Sequence, residues 1–205
     1  MPQIHHFAAQ PMLSSDLPLA LRPHPVTAAP LVRSLEAQAA LTACGDLAIA
    51  FRLRGDMVRL RIPEPRTPAP ADGLWETTCF ELFVGVVGEL AYREFNFSPS
   101  GEWAAYAFTD YRQRDSSSTI FERLARPEIV TEYSAGRLEL EVLIAGAELP
   151  PLPTGDTLQI GLAAVVEAAD MVDGRHSYWA LHHPTARPDF HHRDGFVLKL
   201  SPVAA

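Results

Sequence analysis

The stretch GDLAIAFRLRGD, residues 45–56, decides the fold class. Leu47, Ile49, Phe51 and Leu53 fall on every second position, with Ala48, Ala50, Arg52 and Arg54 between them. A period of two marks a strand with one buried and one wet face, because successive side chains of an extended chain point to opposite sides. A helix would scatter those four apolar residues around its axis. Gly55-Asp56 then reads as a turn that sends the chain back through MVRLRI, giving a hairpin.

The same alternation recurs outward from this stretch. GRLELEVLI (136–144) turns Leu138, Leu140, Val142 and Ile144 one way and Arg137, Glu139 and Glu141 the other; TLQIGLAAVVE (157–167) groups Leu158, Ile160, Leu162, Ala164 and Val166. TTCFELFVGV (77–86), AYREFNF (91–97), EWAAYAFTDY (102–111) and the closing FVLKL (196–200) are also strand-like. VRSLEAQAALTA (32–43) fits helical spacing too, but it precedes a strand in a β-rich chain and is read as a strand. The proline-rich runs IPEPRTPAPADG (62–73) and LPPLPTGD (149–156) read as stiff surface connections, since similar strands lie on both sides of each. Some ten short strands with turns between them predict an all-β fold, an antiparallel β-sandwich of jelly-roll type, with a barrel as the alternative. The expected organisation is one domain over residues 1–205, with 1–19 as an N-terminal extension or edge segment.

With 205 residues, 47% of them hydrophobic and 20% charged, the chain has the material for a substantial core. Its net charge of -8 excludes a phosphate-backbone partner, which would need a basic stripe to displace counterions. Arg52, Arg54, Arg59 and Arg61 alternate at strand spacing and read as a solvated face. The first 25 residues lack a positive segment followed by an apolar run, and no stretch of about 18 apolar residues is present to span a bilayer. The expectation is a soluble, cytoplasmic protein. Cys44 and Cys79 sit in apolar, strand-like stretches and read as free, buried thiols rather than nucleophiles.

Function must then come from residues the strand pattern did not need. Glu81 stands among Cys79, Phe80, Leu82 and Phe83, where a carboxylate is costly unless paired or wetted in a pocket. Tyr92, Glu94 and Asn96 alternate with the core-like Phe95 and Phe97. If the two strands are neighbours, one sheet face carries Glu81, Tyr92, Glu94 and Asn96 together. Trp75, Trp103 and Trp179, with Tyr106 and Tyr178, lie near predicted strand ends. Rings beside carboxylates and an amide suit a sugar, which offers apolar faces and hydroxyls at once. Glu81 and Glu94 would also suit glycoside cleavage if about 5–10 Å apart.

Four of the eight histidines lie within YWALHHPTARPDFHHRDGF (178–196). Neighbours in a strand face opposite ways, so neither His182-His183 nor His191-His192 holds one ion without a turn. One histidine from each pair with Glu81 or Asp189 would make a three-ligand metal set, and hydrogen bonds to loop backbone explain the cluster as well. No phosphate-binding glycine loop, dinucleotide fingerprint or nucleophile elbow is present.

DGLWETTCFELFV, YREFNFSPSGEWAAY and YWALHHPTARPDFHHRDGFVLKL, in that order, resemble successive blocks of DOMON-like and family-nine carbohydrate-binding-module-like domains, in the bacterial DOMON-like branch. LRPHP, VRSLEAQ and GDLAIAFRLRGDMVRLRIP extend the likeness back to about residue 20. The resemblance implies a non-enzymatic β-sandwich that binds a small molecule: a saccharide in the carbohydrate modules, haem or sugar in DOMON relatives. Carried onto this chain, it matches Trp75, Glu81, Tyr92, Glu94, Asn96 and Trp179 to family blocks and gives Phe190, His191 and Gly195-Phe196 a chiefly structural role; with Trp103 and His182 added from the residue reading, these make the expected ligand set. Met57 and Met171 match no block that supplies a haem ligand. The alternatives are a haem- or metal-binding redox module using the histidine cluster, and a carboxylate-dependent glycoside-processing enzyme.

Overall fold

The computed structural model describes residues 17–118, 120, 126–153, 155–169 and 176–201; the expected extension before residue 17, and Met171, lie outside them. In chain order the strands among these residues are β1 (Leu19–Pro23), β2 (Val32–Leu41), β3 (Leu47–Gly55), β4 (Cys79–Val86), β5 (Tyr92–Phe97), β6 (Trp103–Asp110), β7 (Gln113–Arg114), β8 (Glu128–Ser134), β9 (Arg137–Ile144), β10 (Leu158–Glu167), β11 (His176–Ala180) and β12 (Leu198–Leu200). All pair antiparallel. One sheet runs β2-β3-β9-β8; the other runs β7-β6-β5-β4-β10-β11, with β12 beside β10. β1 belongs to both, pairing Leu21 with Leu35 of β2 and Arg22 with Ala180 of β11. The fold is thus the antiparallel β-sandwich that the alternation predicts.

The period-two faces meet between the sheets. Leu47, Ile49, Phe51, Leu53, Leu138, Leu140, Val142 and Ile144 from the first sheet pack against Phe80, Leu82, Phe95, Phe97, Ile160 and Leu162 from the second, all 3% exposed or less. Each such side chain contributes about 1.5–3 kcal/mol of burial. Across the wet face of the first sheet Arg52 reaches Glu139 at 3.2 Å, so its charges sit on opposed strand positions. Among the described residues no helix is long and apolar enough to cross a membrane.

The hairpin expected at Gly55-Asp56 lies one turn earlier. β2 and β3 form it across Thr42-Asp46, with Gly45 at φ 85 and Asp46 N–H on the Thr42 hydroxyl at 3.1 Å. Cys44 is exposed in that turn rather than buried in a strand, while Cys79 is buried, and both are free. After Gly55 the chain leaves the first sheet: Leu60 bridges to Ala168, and Arg61 N–H binds Glu167 O at 2.9 Å at the end of β10. The free edge of β3 goes instead to β9. The proline-rich run then covers the start of β6, where Pro70 bridges Trp103, a place where a residue without N–H costs no ladder bond.

Candidate ligand-binding site

The second sheet has another apolar face, turned away from the sandwich interior. Cys79, Phe83, Tyr92, Ala104, Tyr106, Phe108, Ala163 and Ala180 point there, together with Phe196 from the C-terminal loop. The segment between β11 and β12 lies over this face. Gly161 makes room for it: a Cβ there would stand 3.0 Å from the Phe196 ring. Gly85 does the same for Arg193, whose guanidinium binds Val86 O and Glu89 O at 3.1 Å each and lies 4.7 Å from the Phe196 ring centroid.

Between loop and sheet opens a cleft of about 490 Å³. Its floor is Glu81, Phe83, Glu94, Phe108 and Val165; Tyr178, Phe190 and His191 form one wall, and Trp75, Arg112 and Arg114 close the rim. The β4–β5 register explains the floor, since Glu81 pairs with Asn96 and Phe83 with Glu94, which puts the two carboxylates diagonally on one face. Diagonal neighbours of this kind stand about 7–8 Å apart at the backbone.

Each polar group on the floor has a distinct setting. Asn96, fully buried, donates from Nδ2 to Glu94 Oε1 at 2.7 Å. Burial pushes Glu94 up to about 6, against the pull of Asn96, Arg114 and Arg112. Glu81 is 4% exposed, and it lines the floor of the cleft. Burial, then the nearby Glu94 charge, raises it well above the usual carboxylate range, which favours its protonated form. The Cys79 thiol is likewise held neutral by burial, and reactivity would need a thiolate.

His191 is the floor's counterpart on the loop. Its Nδ1 lies 2.8 Å from the Tyr92 hydroxyl, and that hydroxyl accepts the Arg112 N–H at 3.1 Å. In the tautomer in which the tyrosine donates to Nδ1, Nε2 carries the imidazole proton toward Glu94 Oε2, 3.7 Å away. Burial and the Arg112 charge pull His191 down to about 4, so this contact joins a neutral ring to a carboxylate rather than two ions.

Arg112 anchors the rim. It sits at φ 54, a left-handed conformation that costs a non-glycine residue about 1–2 kcal/mol. The Tyr92 bond and an ion pair from its Nη2 to Asp189 Oδ1 at 2.9 Å hold it there. Asp189 also accepts the Tyr111 hydroxyl at 2.6 Å, which ties the β6–β7 turn to the loop. Arg114 lies over the Tyr106 ring, 3.8 Å from its centroid, and Tyr106 donates to Asp72.

The structure brings Trp75, Glu81 and Glu94 together at the cleft, with Tyr92 and Asn96 supporting them from beneath. It places Trp103, Trp179 and His182 elsewhere. Trp103 faces the inter-sheet core, because β6 turns Trp103 and Ala105 inward and Ala104, Tyr106 and Phe108 toward the cleft. Trp179 is also in that core, 4% exposed, with Nε1 on the Ser177 hydroxyl at 2.9 Å; its neighbour Tyr178 lines the cleft instead. His182 is exposed and outside the lining. The reading of His191 as fold completion is too narrow, since it both packs on Phe83 and faces the cleft.

The histidine cluster diverges. His183 Nε2 lies 2.8 Å from Arg22 O, and His192 Nδ1 accepts the Asp194 N–H at 3.3 Å, capping a short turn at Arg193–Gly195. Among the described residues no group of three or more His, Cys, Asp or Glu converges to hold a metal ion. Met57, which the resemblance did not match to a haem ligand, packs against the inter-sheet core.

One consequence is a test of the floor. Glu81→Leu is expected to raise the unfolding free energy at pH 7 by about 1–2 kcal/mol, since it replaces a carboxyl whose burial among apolar side chains is costly. Urea titration reads this directly. A less stable variant would mean that Glu81 is satisfied in solution.

No family profile matches the chain, and no curated protein does. Solved structures do. A candidate carbohydrate-binding protein from Bacteroides uniformis superposes at TM-score 0.56 with 16% identity, over 89% of this chain and 85% of the other. A family 9 carbohydrate-binding module from Caldicellulosiruptor kristjanssonii, in complex with glucose, superposes at TM-score 0.53 with 10% identity, over 89% and 83%. At such identities the likeness is one of fold.

Proposed function

We propose that the cleft on the outer face of the second sheet binds a saccharide or sugar conjugate and leaves it chemically unchanged. The observation that carries this reading is the convergence, in one open hollow, of a half-exposed indole with carboxyl and guanidinium groups. Trp75 is 40% exposed at the rim and meets Tyr106 edge-on at 5.9 Å, so one face of the pair is free for an apolar sugar face. Glu81, Glu94 and the rim arginines together supply donors and acceptors for hydroxyls. Both carboxyls rise from the same floor, so a ring lying on it has both on one side; inverting cleavage needs acid and base on opposite sides. The two structural neighbours, one described as binding carbohydrate and one holding glucose, agree with the reading.

Fluorescence tests it cleanly because Trp75 alone of the three tryptophans lies at the cleft, the other two being buried in the core. A sugar panel is expected to quench emission in the wild type. Trp75→Ala is expected to remove the quenching and, by calorimetry, on the order of tenfold in affinity. Quenching that survives in Trp75→Ala would place binding elsewhere.

A further inference from the structure

Resting on the saccharide reading, we propose that the sugar recognised is an acidic one, a uronic acid or a glycan containing it, whose carboxylate is received by Arg114 with Arg112 beside it. Three observations converge. Arg114 is exposed at the rim and stacked flat on Tyr106, 3.8 Å from the ring centroid. Among the described residues no carboxylate comes within ion-pair distance of it. Its planar fork is therefore oriented in advance and free to take a carboxylate through two parallel hydrogen bonds.

The second observation concerns Arg112. It lines the same cleft, and its position is fixed from two sides, by the Tyr92 hydroxyl on its N–H and by Asp189 on its Nη2. A left-handed backbone at a bulky residue persists only where the surroundings enforce it, which is a pattern of binding sites.

Third is the balance of charge. The lining holds two guanidiniums and two carboxyls; burial favours the protonated form of Glu81 and the neutral form of His191. Glu94 is turned to Asn96 and His191. Arg112 is already paired with Asp189, which leaves Arg114 as the lining guanidinium that, among the described residues, no carboxylate meets at ion-pair distance. A neutral sugar makes no use of that charge; a carboxylate does. Beside it, protonated Glu81 serves as a donor to the sugar's oxygens.

The experiment compares glucuronate and galacturonate with glucose and galactose by calorimetry, with acetate as the anion lacking a sugar. The expected result is at least tenfold tighter binding of a uronate than of its neutral counterpart, a preference that weakens with added salt and collapses toward parity in Arg114→Gln. Arg114→Lys is expected to restore only part of it, because an ammonium has no fork. Equal binding of acidic and neutral sugars, or a preference unchanged in Arg114→Gln, would overturn the acidic assignment and leave the saccharide reading standing. Acetate binding as tightly as glucuronate would overturn it in favour of a plain anion site. Failure of every sugar to bind folded protein would overturn both.

Discussion

Phe196→Ala is expected to cost about 3–5 kcal/mol of unfolding free energy and to abolish ligand binding with it. Phe196 is 1% exposed and meets Phe83 at 5.8 Å and Tyr92 at 5.7 Å between ring centroids, seated on Gly161. Small size at Gly161 is what lets the ring reach the sheet, so no neighbour can fill the space that alanine would leave. The same ring fastens the loop that carries Pro188, Phe190 and His191 over the cleft. Urea unfolding gives the stability loss and sugar quenching of Trp75 gives the binding. A loss below about 1 kcal/mol, or binding that persists, would show that the loop holds its place without this anchor.

The second large effect is a change in pH dependence on removing His191. Its folded value, about 4, lies below its ordinary 6.5, so the unfolded chain binds the extra proton between those limits. Stability from this residue is full above pH 6.5 and is lost as pH falls toward 4, roughly 3 kcal/mol in all. Glu94 acts with the opposite sign. Its folded value, about 6, lies above its ordinary 4.5, so its contribution is full below 4.5 and is lost as pH rises to 6, roughly 2 kcal/mol. Glu81 shifts in the same direction as Glu94. In the wild type the His191 and Glu94 terms largely cancel between pH 4.5 and 6, with Glu81 adding to the carboxyl side. In His191→Phe the carboxyl terms stand alone, and stability is expected to fall across that interval, so that the change between pH 4 and 6.5 differs from wild type by about 3 kcal/mol. Parallel profiles for the two proteins would refute the neutral histidine.

The floor of the cleft was legible in the sequence because a strand's period of two has no competitor there. CFELFVG and YREFNF each carry polar residues in a single phase, and the short connection makes them neighbours, so Glu81, Glu94 and Asn96 fall on one face. Phase was ambiguous where aromatics occupy adjacent positions. In SYWA, Tyr178 and Trp179 both look like ligand rings, and which of them faces the cleft depends on how β11 seats against β10 and β1. The misplaced hairpin has a similar cause. RLRGDMVRLRI alternates on both sides of its turn, but the partner of β3 is β9, some ninety residues further on, and local pattern says nothing about so distant a claim on an edge. Arg112 and Arg114, and the place of His191 at the cleft, were hidden for another reason: they lie in a polar hairpin end and a loop, where no periodicity exists to betray a direction.

The shared strand β1 constrains how this molecule comes into being. Residues 19–23 can complete their hydrogen bonds only when residues 179–180 are present, so on the ribosome the earliest strand waits for nearly the last. Such distant closure favours slow folding, in milliseconds to seconds, and leaves both sheet edges bare until late in synthesis. Circular permutation that brings β1 next to β11 should therefore speed refolding more than it alters the final stability.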